Sequence, residues 1–100
     1  MTTYVLSYRL PKGFTRATDG ISPAWRDWFD SMGADLADIG RPVAEQVALG
    51  TCDDSTVLGG YSLVTADDID RAVSIAERCP LLGQQGGVEV GELADLPGSR

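Results

Sequence analysis

The apolar residues of this 100-residue chain change their spacing along its length, from two to about 3.6 and back, and then again. Few folds accommodate that order in one domain. Residues 4–10 alternate: Tyr4, Leu6, Tyr8 and Leu10 share one face, and Val5, Ser7 and Arg9 share the other. This is a strand pattern, and Pro11 ends it. Residues 11–20 read as a loop, with Gly13 and the Asp19-Gly20 turn pair as punctuation. Ser22-Pro23 then supplies a serine N-cap with proline at the first helical position. Trp25, Trp28, Phe29, Met32, Leu36 and Ile39 follow at steps of three and four, which predicts an amphipathic helix running to Gly40 and Pro42.

Val43, Val47 and Leu49 predict a second strand, and residues 50–55 a polar turn. Residues 56–64, β-branched and aromatic around Gly59-Gly60, predict a third strand. Thr65-Ala66-Asp67-Asp68 resembles a capping box with Asp in the Glu position. The helix after it is expected to bury Ile69, Ala72, Val73, Ile75, Ala76 and Cys79 and to stop at Pro80. Val88-Glu89-Val90 starts a last short strand. The expected domain spans residues 1–96, with 97–100 as a tail.

The order is β-α-β-β-α-β, the split βαβ arrangement called ferredoxin-like. It implies an α+β fold, with a four-stranded antiparallel sheet and two helices on one face. The first strand carries apolar residues on both sides, so the other face needs a cover. One hundred residues leave nothing in the chain to supply it. Self-association is the simplest solution, and a homodimer is the expectation.

Composition narrows the function classes. Eight Lys and Arg stand against fifteen Asp and Glu, a net charge of -7. Such a chain repels phosphate backbones and anionic membrane surfaces, so neither a nucleic acid nor a membrane is an expected partner. The N-terminus lacks a basic leader and no apolar run reaches the ~18 residues that cross a bilayer, so a cytoplasmic location is expected. There is no histidine, which removes the commonest general base and metal ligand. Cys52 and Cys79 do not form a metal-ligand spacing. Cys79 reads as a small core residue, and Cys52 as a turn residue beside Asp53 and Asp54. Neither these two aspartates nor Asp67, Asp68 and Asp70 form a calcium loop. No metal and no cofactor are expected.

Several segments together resemble the YCII-related family. They are Leu58-Gly59-Gly60-Tyr61-Ser62-Leu63-Val64, the run from Ala66 to Ala72, Arg78-Cys79-Pro80 and Gly87-Val88-Glu89-Val90. The first strand from Tyr4 to Arg9, Trp25-Arg26-Asp27-Trp28-Phe29, and Gly33, Asp38 and Gly40 match the same pattern. The resemblance covers nearly the whole chain and implies a dimeric α+β barrel. The chain departs from the family in two places. The Asp-Gly-Pro-Phe turn that names one branch is absent from the shorter segment 50–57. A His–Asp pair in another branch is represented only by Asp38, so the paired mechanism does not carry over.

The candidate site residues follow. Asp38 is a candidate catalytic base, its alternative being a solvated aspartate. Arg9, on a central strand beside Ser7, is a candidate for holding a carboxylate or phenolate; otherwise it reaches solvent or an acidic neighbour. Tyr8 and Tyr61 offer phenols and Trp28 a stacking surface, though packing is the favoured reading of each. Lys12, Phe14 and Arg16 form the only basic cluster, a lid or a solvated loop. The reading that results is a small-molecule-binding protein whose ligand, aromatic or anionic, lies in the cleft between sheet and helix. The alternatives are a small enzyme using Asp38 for proton transfer or elimination, and a purely structural dimer.

Overall fold

In the computed structural model, which describes residues 1–13, 22–52 and 54–96, the chain forms an α+β unit. Its elements in order are β1 (Thr2–Pro11), α1 (Pro23–Met32), β2 (Leu36–Asp38), β3 (Thr56–Ala66), α2 (Ile69–Ala76) and β4 (Gly87–Glu92). Short 3-10 turns at Gly33–Asp35 and Pro80–Gln84 complete the order. The four strands make one antiparallel sheet in the order β2-β3-β1-β4. This architecture is consistent with a ferredoxin-like fold.

The alternation of β1 sorts its side chains as the sequence predicts. Tyr4, Leu6, Tyr8 and Leu10 are buried, while Val5, Ser7 and Arg9 are only half-buried on the other face. Opposite them, Val64, Ser62 and Ala66 of β3 face the core, and Val88 and Val90 of β4 pack against it. Trp28 and Met32 of α1 and Ala72, Ile75 and Ala76 of α2 join the same cluster, together with Cys79 and Leu81. Both helices therefore cover one face of the sheet. Trp28 fastens them to each other, since its indole Nε1–H donates to the Ile75 carbonyl over 3.1 Å.

The start of α1 is as expected: Ser22 Oγ accepts from Trp25 N–H, and proline stands in the first turn. Its end is not. The helix stops at Met32, where Gly33 turns out with φ of 55°, rather than continuing to Ile39. Leu36 and Ile39 keep the helical spacing, but a glycine inside a helix costs roughly 1 kcal/mol and the edge of β3 offers backbone partners instead. Leu36 and Asp38 pair with Val64 and Leu63, and Ile39 ends half exposed. The second strand is therefore β2, and residues 43–49 are not a strand. Val47 and Leu49 are largely exposed.

Pairing along the β3 edge resumes beyond β2. Tyr61 N–H donates to the Arg41 carbonyl, Pro42 bridges to Gly60, and Val43 N–H donates to the Gly59 carbonyl. Between these stretches Gly40 adopts φ of 75°, and a Cβ there would collide with the Tyr61 carbonyl. Only glycine fits that approach. The Gly59-Gly60 pair marks a bulge, as glycines inside a strand often do. The β1–β3 register slips between Tyr8 and Arg9, with Gly60 paired on one side of the slip and Leu58 on the other.

Three further expectations about α2 change. Its N-cap is Asp68, whose carboxylate accepts from Arg71 N–H over 2.9 Å, because Thr65 and Ala66 remain in β3. Ile69 and Val73 are exposed rather than buried, since an eight-residue helix lying on the sheet covers only the arc of Ala72, Ile75 and Ala76. The helix ends at Ala76, before Pro80, which opens the 3-10 turn. Phe14, Arg16, Asp53 and residues 97–100 lie outside the described residues. No helix among the described residues is long and apolar enough to cross a membrane.

Candidate functional site

The candidate residues fall on opposite faces of the sheet. Tyr8 and Trp28 belong to the helix-covered side, and Ser7, Arg9 and Tyr61 to the open side. Tyr8 sits in an aromatic cluster, edge-on to Trp25 with ring centroids 5.0 Å apart and to Trp28 at 6.0 Å. Trp25, Trp28 and Phe29 pack against one another behind it, the two indoles edge-on and the Phe29 ring tilted to both. The Tyr8 hydroxyl donates to Ser62 Oγ over 2.7 Å, and the Ser62 hydroxyl in turn donates to the Ile39 carbonyl over 2.6 Å. Burial raises the Tyr8 phenol above its ordinary range, against the lowering effect of the Ser62 bond and with a small further rise from Cys79. A buried, hydrogen-bonded phenol that stays protonated is a packing group. Burial likewise pushes the Cys79 thiol up to about 11, in part offset by the Leu81 backbone. Cys79 is thus the inert core cysteine its position implies.

On the open side the geometry around Arg9 is different. Its guanidinium donates through Nε to Thr56 Oγ1 over 3.2 Å and through Nη2 to the Thr56 carbonyl over 3.3 Å. Thr56 opens β3 across from Pro11, so the first residue of one strand holds the arginine of its neighbour in place. A groove of about 440 Å³ lies beside it, lined by Arg9, Cys52, Thr56, Gln85, Gly86, Gly87 and Glu89. The turn entering β4 forms one wall of this groove. A Cβ on Gly86 would stand 2.6 Å from the Arg9 carbonyl and would also strike Leu81, so the close approach of that turn to β1 depends on glycine. Among the described residues the single ion pair is Arg71 to Asp35 at 3.4 Å, at the surface and far from this groove in register. Arg9 is therefore a half-buried cation with no carboxylate partner among the described residues, in a chain of net charge -7.

Asp38 stands elsewhere. It lies at the end of β2, not at a helix C-terminus, with its exposed carboxylate accepting from Gly40 N–H over 2.8 Å in an Asx-type turn. It pairs with Leu63, which pairs with Val5, four residues from Arg9 on β1. At strand spacings that is about 13 Å along the sheet and about 10 Å across it, or roughly 16 Å in all. One copy of the chain does not bring Asp38 and Arg9 to one reacting centre. Tyr61 is partly exposed on the open face opposite Ser7, two positions from Leu63.

Thr56, Gln85, Gly86, Gly87 and Glu89 were not singled out by the sequence as site residues. Glu89 carried a usable signal, since it alternates with Val88 and Val90 and must face away from the core they enter. Thr56 carried none, because its contact with Arg9 depends on the register of β3 against β1. Among the described residues no group of three or more His, Cys, Asp or Glu is arranged to hold a metal ion. No family model, curated protein or solved structure matches the chain.

Proposed function

We propose that this chain is a small-molecule-binding protein of the YCII-related type, which holds an anionic ligand, such as an aromatic carboxylate, at Arg9 on the open face of its sheet. The observation that carries the reading is the guanidinium itself. It is fixed on a central strand by two bonds to Thr56, which leaves Nη1 and one Nη2 N–H for a ligand, the end-on fork that a carboxylate fits. Tyr61 and Leu58 on the same face offer apolar surface for a ring. Val5, Leu63 and Leu93 extend that surface, and a second copy packed face to face is the cover that best suits it.

The test uses a panel of aromatic carboxylates and the variant Arg9→Gln. A ligand at ~100 times its dissociation constant stabilises the fold by about 2.7 kcal/mol, a shift that thermal melting detects. The shift is expected in the parent protein and absent in Arg9→Gln. An equal shift in both proteins, or none in either, overturns the reading. The dimer is tested separately by native mass spectrometry of the parent and of Val5→Glu. The parent is expected at twice the chain mass, with the charged variant monomeric or unfolded. A Val5→Glu protein that remains a native dimer rules out this face as the interface.

A further inference from the structure

The groove beside Arg9 has a second charged wall, and the two walls together narrow the ligand class. Val88 and Val90 pack toward the core, so Glu89 between them faces the open side. In the β1–β4 register Ser7 stands opposite Glu89 and Arg9 opposite Gly87. Arg9 and Glu89 are therefore diagonal neighbours on one face, about 7–8 Å apart across the two strands. Both line the groove.

Long side chains of opposite charge so placed on adjacent strands are within reach of each other, and pairing them is favourable. Here, among the described residues, they form no ion pair: the guanidinium is turned to Thr56, and the Glu89 carboxylate makes no hydrogen bond. The groove is thus bounded by a cation and an anion, each with bonding capacity to spare. Only the small side chain of Ser7 and the bare backbone of Gly87 stand at the two remaining register positions. A simple anion at Arg9 would gain the guanidinium and meet the repulsion of Glu89, with the chain's net charge of -7 behind it. A molecule carrying both charges meets neither penalty.

We infer that the groove takes a zwitterion, a carboxylic acid that also bears an ammonium group, with the carboxylate on Arg9 and the ammonium on Glu89. This inference rests on the reading of the Arg9 groove as a binding site and adds the class of its ligand.

Three rigid probes separate the two claims: 4-(aminomethyl)benzoate carries both charges, benzoate the negative one and benzylamine the positive one. Their affinities are measured by isothermal titration calorimetry at low ionic strength on the parent, Arg9→Gln and Glu89→Gln, each checked for native circular dichroism. The zwitterion is expected to bind at least tenfold more tightly than either single-charge probe. Glu89→Gln is expected to remove that advantage while leaving benzoate binding unchanged or stronger, and Arg9→Gln to weaken both acids. Benzoate binding that depends on Arg9 and equals or exceeds the zwitterion's would overturn the zwitterion class and leave the Arg9 site standing. A zwitterion advantage that survives Glu89→Gln would overturn it as well. Failure of both acids to bind, or binding indifferent to Arg9→Gln, would overturn the class and the site together.

Discussion

Ser62→Ala tests the buried relay that ties the aromatic cluster to the edge of the sheet. Ser62 is completely buried, accepts from the Tyr8 hydroxyl and donates to the Ile39 carbonyl. Alanine removes both bonds and orphans a phenol that is itself only 6% exposed. Leaving a buried donor unsatisfied costs about 1–3 kcal/mol, and the lost bond to Ile39 adds about 1 kcal/mol. The expected loss is therefore about 2–4 kcal/mol, a large part of the 5–15 kcal/mol typical of such a domain. At roughly 4–8 °C per kcal/mol for this chain length, it lowers the melting temperature by on the order of 15 °C. Tyr8→Phe should cost less, about 1 kcal/mol, because Ser62 keeps its bond to Ile39 and no donor is stranded. The double variant has no stranded phenol, so its cost should fall short of the sum of the two singles by about 1–2 kcal/mol. The assay is urea denaturation of all four proteins at one protein concentration, followed by the fluorescence of Trp25 and Trp28, whose rings lie against Tyr8. Additivity within about 0.3 kcal/mol, or a Ser62→Ala cost below about 0.5 kcal/mol, would refute the relay.

Three further outcomes are expected. Gly40→Ala should destabilise by several kcal/mol, because it combines an unfavourable φ with a collision against the Tyr61 carbonyl; Gly50→Ala, at a similar φ of 71° in open space, should cost only about 1–2 kcal/mol. Equal melting temperatures for the two variants would mean that the Gly40 approach is not tight. Trp28→Phe keeps an aromatic ring but loses the bond to Ile75 and part of the buried indole, so an unfolding free energy about 2–3 kcal/mol lower is expected, and an unchanged one would refute its fastening of α1 to α2. Finally, stability should fall at alkaline pH. Cys79 has a folded pKa of about 11, above the ~8.5 of an unfolded thiol, so its contribution is complete below about pH 8 and is lost as pH rises toward 11. Denaturation midpoints across pH 7–10 should decline less steeply in Cys79→Ala; parallel slopes would show that this thiol is not the group responsible.

What the chain's sequence determined by itself is the part of the fold that repeats locally. The period of two in residues 4–10 placed Tyr4, Leu6, Tyr8 and Leu10 in the core and left Arg9 on the open face, because a pleated strand allows its side chains only two directions. Ser22-Pro23 started α1 for an equally local reason, and the stripe of Trp25, Trp28, Phe29 and Met32 meets the sheet as a 3.6-residue period requires. Local pattern misled where a longer-range partner competed. Leu36 and Ile39 continue the helical spacing, yet Gly33 breaks the helix and the free edge of β3 draws Leu36 and Asp38 into β2. The apolar residues 43, 47 and 49 then read as a strand only because the true edge strand, three residues long, is too short to announce itself. Asp38 consequently moved from a helix end to a sheet edge, far from Arg9.

The candidate site divided along the same line. Arg9 and its face were legible, since alternation alone decides which side of a strand a residue occupies. Its company was not. Thr56 lies forty-seven residues away and reaches the guanidinium only through the β1–β3 register, which slips by one residue at Tyr8 and Arg9. Glu89 comes beside Arg9 only because β4 pairs with β1, and Gly86 admits that approach only because no Cβ obstructs it. Which charges share a groove is a property of strand order and register, and those are set by contacts between residues that no local pattern in the chain relates to one another.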